Sequence, residues 1–251
     1  MLKTYTASLL CVIAVLFVEN AALAQTITAD SLNHKQALYA NITDNFYRTI
    51  GSQSMLYNGK DYEFYDPALK GNAYVFDNAS FSPGTVVYDG VLYKNVNMLY
   101  DLFKDEVVIK LYSSALKITL LKERVSSFDM LDHHFVNIKA DTTSTNSIRS
   151  GYYDQLYGGK IQVLARREKS IQTAQGFAGS LDSYFLSSLN YYLYKNGRYY
   201  SVSSEGSFLD VLKDKKKELQ QFIKANKLKF KKYQREDAMA KVAAYYDQLT
   251  D

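Results

Sequence analysis

The stretch Asp129-Met130-Leu131-Asp132-His133-His134 is the one cluster whose residue types suit metal or acid–base chemistry. Carboxylates and imidazoles are the usual hard ligands and proton carriers, but they act only when their side chains converge on one point. In an extended strand, consecutive side chains point to opposite faces, so His133 and His134 cannot chelate together there. A turn could restore convergence, which leaves Asp129, Asp132 and His134 as the candidate metal or acid–base set. The spacing matches no established ligand motif. The chain also lacks a nucleophile elbow, a phosphate-cradling glycine loop and a dinucleotide fingerprint.

A second feature is electrostatic. Between Lys213 and Arg235 there are ten basic residues against Asp214 and Glu218, a local charge of +8 in a chain whose total is +4. Everything else therefore sums to −4. Such asymmetry can mark a surface that meets anionic lipid headgroups or phosphate-rich polymers. The candidate anion-binding residues are Lys213, Lys216, Lys217, Lys224, Lys231 and Lys232. Lysine dominates over arginine, which suits diffuse attraction better than bidentate phosphate recognition. The plainer reading is a solvated helix face.

These residues must be positioned by a sheet and by helices. From Gly84 to Lys139 the pattern is that of short antiparallel strands. Val107, Ile109 and Leu111 alternate with Glu106, Val108 and Lys110, and Leu116, Ile118 and Leu120 follow with the same period. Period two places one face on a core and leaves the other for water. Tyr57-Asn58-Gly59-Lys60, Tyr88-Asp89-Gly90-Val91, Tyr157-Gly158-Gly159-Lys160 and Tyr194-Lys195-Asn196-Gly197 read as hairpin turns. Asp132-His133 divides two further strands. Residues 140–150 and 170–179 read as loops, the first a candidate lid. Strands are expected at Tyr152–Tyr157 and Lys160–Arg167, with Ile161, Val163 and Ala165 on one face, and a last hairpin spans Leu189–Val202.

Helical stripes flank the strands. Leu38, Ile42 and Phe46 predict an N-terminal helix ending near Gly51. At the other end, residues 207–212, 214–226 and 235–249 predict three helices. The second has Leu219, Phe222 and Ile223 on its stripe; the third has Met239, Val242, Ala243, Tyr246 and Leu249. The fold class expected is mainly β (α+β): a meander of roughly ten antiparallel strands curled into a roll or barrel, with helices packed on it. The 23 tyrosines fit a sheet whose rings are buried and whose hydroxyls reach the rim.

The first two dozen residues have a different character. Lys3, the apolar run Ser8–Val18 and Ala22-Leu23-Ala24 predict a secretory signal peptide, residues 1–24, cleaved before Gln25. The apolar run is shorter than the roughly 20 residues a spanning helix needs. Cys11, the only cysteine, lies inside this leader. Residues 25–251 are then a single tyrosine-rich β domain held by burial alone, with no disulfide and no transmembrane segment. No cofactor is expected, and export argues against nucleic acid as a partner.

Val86–Ile109 (VVYDGVLYKNVNMLYDLFKDEVVI) and the tail Phe208–Leu249 resemble uncharacterised exported proteins of Bacteroidota. The resemblance implies a periplasmic, outer-membrane-peripheral or extracellular setting and transfers neither an activity nor a site residue. The expected function is a non-enzymatic envelope protein that binds an anionic envelope component or a partner protein. The alternatives are a hydrolase acting on envelope glycans or lipids, with Asp129, Asp132 and His134 as its residues, and a purely structural or assembly component.

Overall fold

A computed structural model describes residues 55–110, 116–140, 148–176 and 181–250, apart from the Lys232 side chain. All belong to one compact unit, residues 52–251. The expected leader and N-terminal helix, Leu111 and most of the 140–150 segment lie outside the described residues.

The elements in chain order are β1 (Lys60–Asp61), β2 (Ser82–Tyr88), β3 (Val91–Asp101), β4 (Glu106–Lys110), β5 (Lys117–Thr119), β6 (Val125–Met130) and β7 (His133–Ile138). There follow β8 (Gly151–Gly158), β9 (Gln162–Gln175), β10 (Leu181–Lys195), β11 (Arg198–Val202), α1 (Glu205–Val211), α2 (Lys216–Ala225) and α3 (Arg235–Leu249). The strands form one antiparallel sheet in the order β1-β5-β4-β3-β2-β6-β7-β8-β9-β10-β11. It is open, with β1 and β11 at its ends, and does not close into a barrel. Nor is it a simple meander: after β5 the chain returns to place β6 beside β2. Tight turns dictate which strands neighbour each other locally, but the connection over residues 120–124 is free to cross.

Where a turn requires positive φ, the local signals hold. Asp89 and Gly90 (φ 50° and 77°) and Asn196 and Gly197 (φ 51° and 77°) close the β2–β3 and β10–β11 hairpins. Asn58-Gly59 does not make a hairpin. It follows a single 3-10 turn and leads into β1, which pairs with the distant β5. A Cβ at Gly59 would overlap the Thr119 carbonyl oxygen, so the glycine serves close backbone approach. The expected loop at 170–179 is instead largely strand, because β9 runs to Gln175 and β10 begins at Leu181.

Two layers cover the sheet. Helices α1–α3 pack on β8–β11, where Ile161, Val163, Ala165, Tyr191 and Leu193 meet Phe208, Leu219, Ile223, Met239, Val242 and Tyr246. Burying each large apolar side chain is worth about 1.5–3 kcal/mol, which is what docks the helical stripes. Toward the other end, Tyr62 and Tyr74 from the segment before β2 cover Leu99 and Val108. Val107, Val108 and Ile109 are therefore all buried, and β4 has no water-facing side at its centre. Between these regions Tyr100, Phe128, Phe135 and Tyr152 form an aromatic cluster with ring centroids 4.8–5.7 Å apart.

Several tyrosine hydroxyls of these cores end on carboxylates, while those of Tyr88 and Tyr152 are buried with no hydrogen-bond partner among the described residues. Tyr62 and Tyr65 donate to Asp101, Tyr100 to Asp105, Tyr157 to Asp247, Tyr191 to Glu236 and Tyr246 to Asp214. A buried ring can thus keep its polar end satisfied.

Candidate functional site

The β6–β7 hairpin turns at Leu131 and Asp132, whose φ values are 52° and 61°. Its register sets Asp129 opposite His134 and Met130 opposite His133. His134 Nδ1 lies 2.5 Å from Asp129 Oδ1, and Thr85 Oγ1 on β2 donates to Oδ2 at 2.5 Å. Partial burial pushes the Asp129 carboxyl up, but the Thr85 and His134 hydrogen bonds outweigh it and hold it below its ordinary value. The trio sits on an open face of the sheet. Asp132 is exposed in the turn and joins neither residue. Among the described residues no group of three His, Cys, Asp or Glu could hold a metal ion. Of the expected set, the fold therefore brings Asp129 and His134 together and leaves Asp132 out.

His133 points the other way, into a constellation that sequence reasoning missed. Its Nδ1 is 2.8 Å from Oδ2 of Asp154, a carboxylate on β8 that is only 1% exposed. Arg167 on β9 donates from Nε and Nη2 to the same oxygen at 2.9 and 2.6 Å. Its Nη2 also reaches Glu236 at the start of α3 at 2.7 Å, and Tyr191 donates to that carboxylate at 3.0 Å. Phe76 lies over the His133 ring at 4.3 Å and over the Arg167 guanidinium at 4.9 Å. Burial alone would lower the Arg167 pKa, but Glu236 and Asp154 more than offset it and raise it.

This is an imidazole with one nitrogen held by a buried carboxylate, the pairing that orients a general base. Chemistry would also require a nucleophile or a bound substrate at the other nitrogen. Among the described residues His133 makes no hydrogen bond to a hydroxyl. What the network does achieve is to tie β7, β8 and β9 to α3. The only sequence signal was His133 itself; strand register brings in Asp154 and Arg167, 21 and 34 positions away, and the docking of α3 brings in Glu236, 103 away.

The lysine-rich segment becomes an exposed surface. Lys213, Lys217, Lys224 and Lys231 are exposed and have no carboxylate partner among the described residues, as are Lys227 and Lys229. Lys217 and Lys224, seven apart, share one side of α2, opposite the buried Leu219 and Ile223. Lys216 is the exception in the expected set, pairing with Asp210 at 2.7 Å. The Lys232 side chain lies outside the described residues. Asp214 does not screen the lysines beside it. Its oxygens accept from Lys195 at 2.6 Å and Tyr246 at 2.8 Å.

Comparison with family models, curated proteins and solved structures finds no match to this chain. Its own geometry must carry the functional reading. An open depression of about 500 Å³ is lined by Asp89, Glu123, Arg124, Ser126, Asn137 and Lys139 among others. It contains neither histidine constellation.

The Asp214 anchor makes one prediction about pH. Burial raises its pKa, but the Lys195 and Tyr246 hydrogen bonds prevail and the net shift is downward. A depressed carboxyl stabilises the fold above its unfolded pKa of about 3.9, and that contribution is lost as pH falls through the lower folded value. Asp214→Asn is expected to melt earlier than wild type at neutral pH and to lose less between about pH 5 and 2. Parallel thermal melts across that range check it; equal slopes would rule out the anchor.

Proposed function

We propose that this chain is an exported, non-enzymatic interaction module of a cell envelope, with its lysine-rich helical end directed at an anionic surface. The observation that carries this reading is the set of exposed lysines, from Lys213 through Lys231, with no internal counter-ion among the described residues. Charges of one sign clustered in one segment attract an oppositely charged surface over roughly a Debye length, about 8–10 Å at physiological salt. The secretory-type leader and the resemblance to exported Bacteroidota proteins supply the setting. An open sheet with one face under helices suits a macromolecular partner better than a small apolar ligand, which would call for an enclosed cavity.

The alternative, a hydrolase using Asp129, Asp132 and His134, draws less support, since Asp132 lies in the turn apart from the other two. The test is co-sedimentation with vesicles of phosphatidylglycerol and of phosphatidylcholine. Each lysine near an anionic membrane is worth ~1 kcal/mol, so replacing Lys213, Lys217 and Lys224 with Gln is expected to weaken binding to phosphatidylglycerol about 100-fold. All three are exposed and have no carboxylate partner among the described residues, so folding should be unaffected. Binding that is unchanged in the variant, or equal on both lipids, refutes the proposal.

A further inference from the structure

The outer edge of β10 is interrupted. Near its start, on the side away from β9, the Lys70 N–H donates to the Ser183 carbonyl at 2.9 Å and the Lys70 carbonyl accepts from the Phe185 N–H at 3.1 Å. From Tyr191 onward that same side pairs with β11, beginning at Tyr191↔Val202. Between these two lies Leu186-Ser187-Ser188-Leu189-Asn190, paired only with β9. Residues two apart turn their N–H and C=O to the same edge. Ser183, Phe185 and Tyr191 face outward, so Ser187 and Leu189 do too. Their N–H and C=O groups have no partner among the described residues.

Natural edge strands are usually blunted by lysine, proline, a bulge or a covering loop. This window has no charge and no proline, and its pairing with β9 runs without a bulge. Leu186 is 44% exposed and Leu189 42%. Lys70 shows that an extended segment can lie against this edge, since it already bridges Tyr184 in parallel orientation.

The length of the window selects the occupant. Five residues span about 17 Å. A second copy pairing edge to edge about Ser188 would bring its own Lys70 and Val202 into the plane already held by ours, three residues from the centre. A flexible peptide can bend away at both ends. We infer that Leu186–Asn190 is a strand-addition site for an extended, uncharged peptide segment of a partner protein. Leu186 and Leu189 lie on opposite faces, so the matching peptide carries two apolar residues three apart, with small polar residues between them opposite Ser187 and Ser188. This rests on reading the chain as an interaction module, but uses a surface separate from the lysines.

The probe is a fluorescein-labelled octapeptide, Gly-Thr-Val-Thr-Ser-Val-Thr-Gly, titrated with the full chain by fluorescence anisotropy. Leu189→Pro deletes an outward N–H and no ladder bond to β9, so it is expected to weaken binding at least about tenfold, the equivalent of one lost hydrogen bond. Its circular dichroism and vesicle binding should match wild type. Peptides N-methylated on alternate residues keep the protein unaltered: one phase is expected to abolish binding and the other to leave it intact. No binding at millimolar protein, equal binding to Leu189→Pro, or equal loss in both methylation phases overturns the inference. Loss of vesicle binding in the lysine variant with peptide binding intact separates the two proposals.

Discussion

Asp105→Asn is expected to destabilise the domain by about 3–5 kcal/mol, the cost of removing one partner from a buried ion pair. Asp105 ends the β3–β4 turn at 9% exposure, and Arg166 on β9 is 6% exposed. The Asp105 carboxylate accepts from Tyr100 at 2.7 Å, from Arg166 at 2.9 Å and from Lys122. It thereby joins β3, the β5–β6 connection and β9. Removing its charge leaves the Arg166 guanidinium buried against Tyr153 with its main counter-ion gone. Asparagine is the cleaner replacement, because position 105 has φ 56° and asparagine tolerates that conformation. Alanine should cost about 1–2 kcal/mol more. Adding Arg166→Met to Asp105→Asn should recover part of that loss, because no unpaired guanidinium then stays buried. Guanidinium melts of the three variants decide it; a single-variant loss below ~1 kcal/mol would show that the pair is solvated.

Phe128→Ala should cost a similar amount, about 3–5 kcal/mol, for a different reason. Phe128 is buried in the middle of the sheet, stacked on Phe135 at 4.8 Å and edge-on to Tyr100 and Tyr152 at 5.2 and 5.1 Å. Truncation removes apolar burial and leaves a cavity that three rigid rings on three other strands cannot collapse into. For a domain of this size, such a loss lowers the melting temperature by roughly 10 °C. Phe128→Leu should recover much of it, which distinguishes packing from a special aromatic requirement. A Phe128→Ala variant within 1–2 °C of wild type would mean that the cluster is not the centre of this core.

The helices were legible because each carries its signal within itself. Arg235–Leu249 has its buried Met239, Val242, Ala243 and Tyr246 at helical spacing, so any partner surface would select the same stripe. Asp89-Gly90 and Asn196-Gly197 were legible for a similar reason, since the positive φ of a tight turn is a demand on the local residues. Asn58-Gly59 satisfies the same local grammar and was misleading. There the glycine answers to the Thr119 backbone, sixty positions away. The polar residues of 170–175 looked like loop, because a strand pair exposed on both faces needs no apolar alternation. Among the candidate site residues, the lysine excess was visible as a count. Which lysines are unpaired was not, since Lys216 meets Asp210 and Asp214 is taken by Lys195 and Tyr246.

From the sequence alone came the mainly antiparallel β class, the three C-terminal helices and the two chemical features worth following. These depend on backbone dihedrals and side-chain periodicity over a few residues. Only the tertiary structure decided that the sheet stays open, that β6 returns beside β2, that His133 faces Asp154 while His134 faces Asp129, and that Leu186–Asn190 of β10 has no strand on its outer edge among the described residues. Each of those depends on which strands pair and in which register. Pairing minimises the free energy of the whole chain, and no short stretch contains that information.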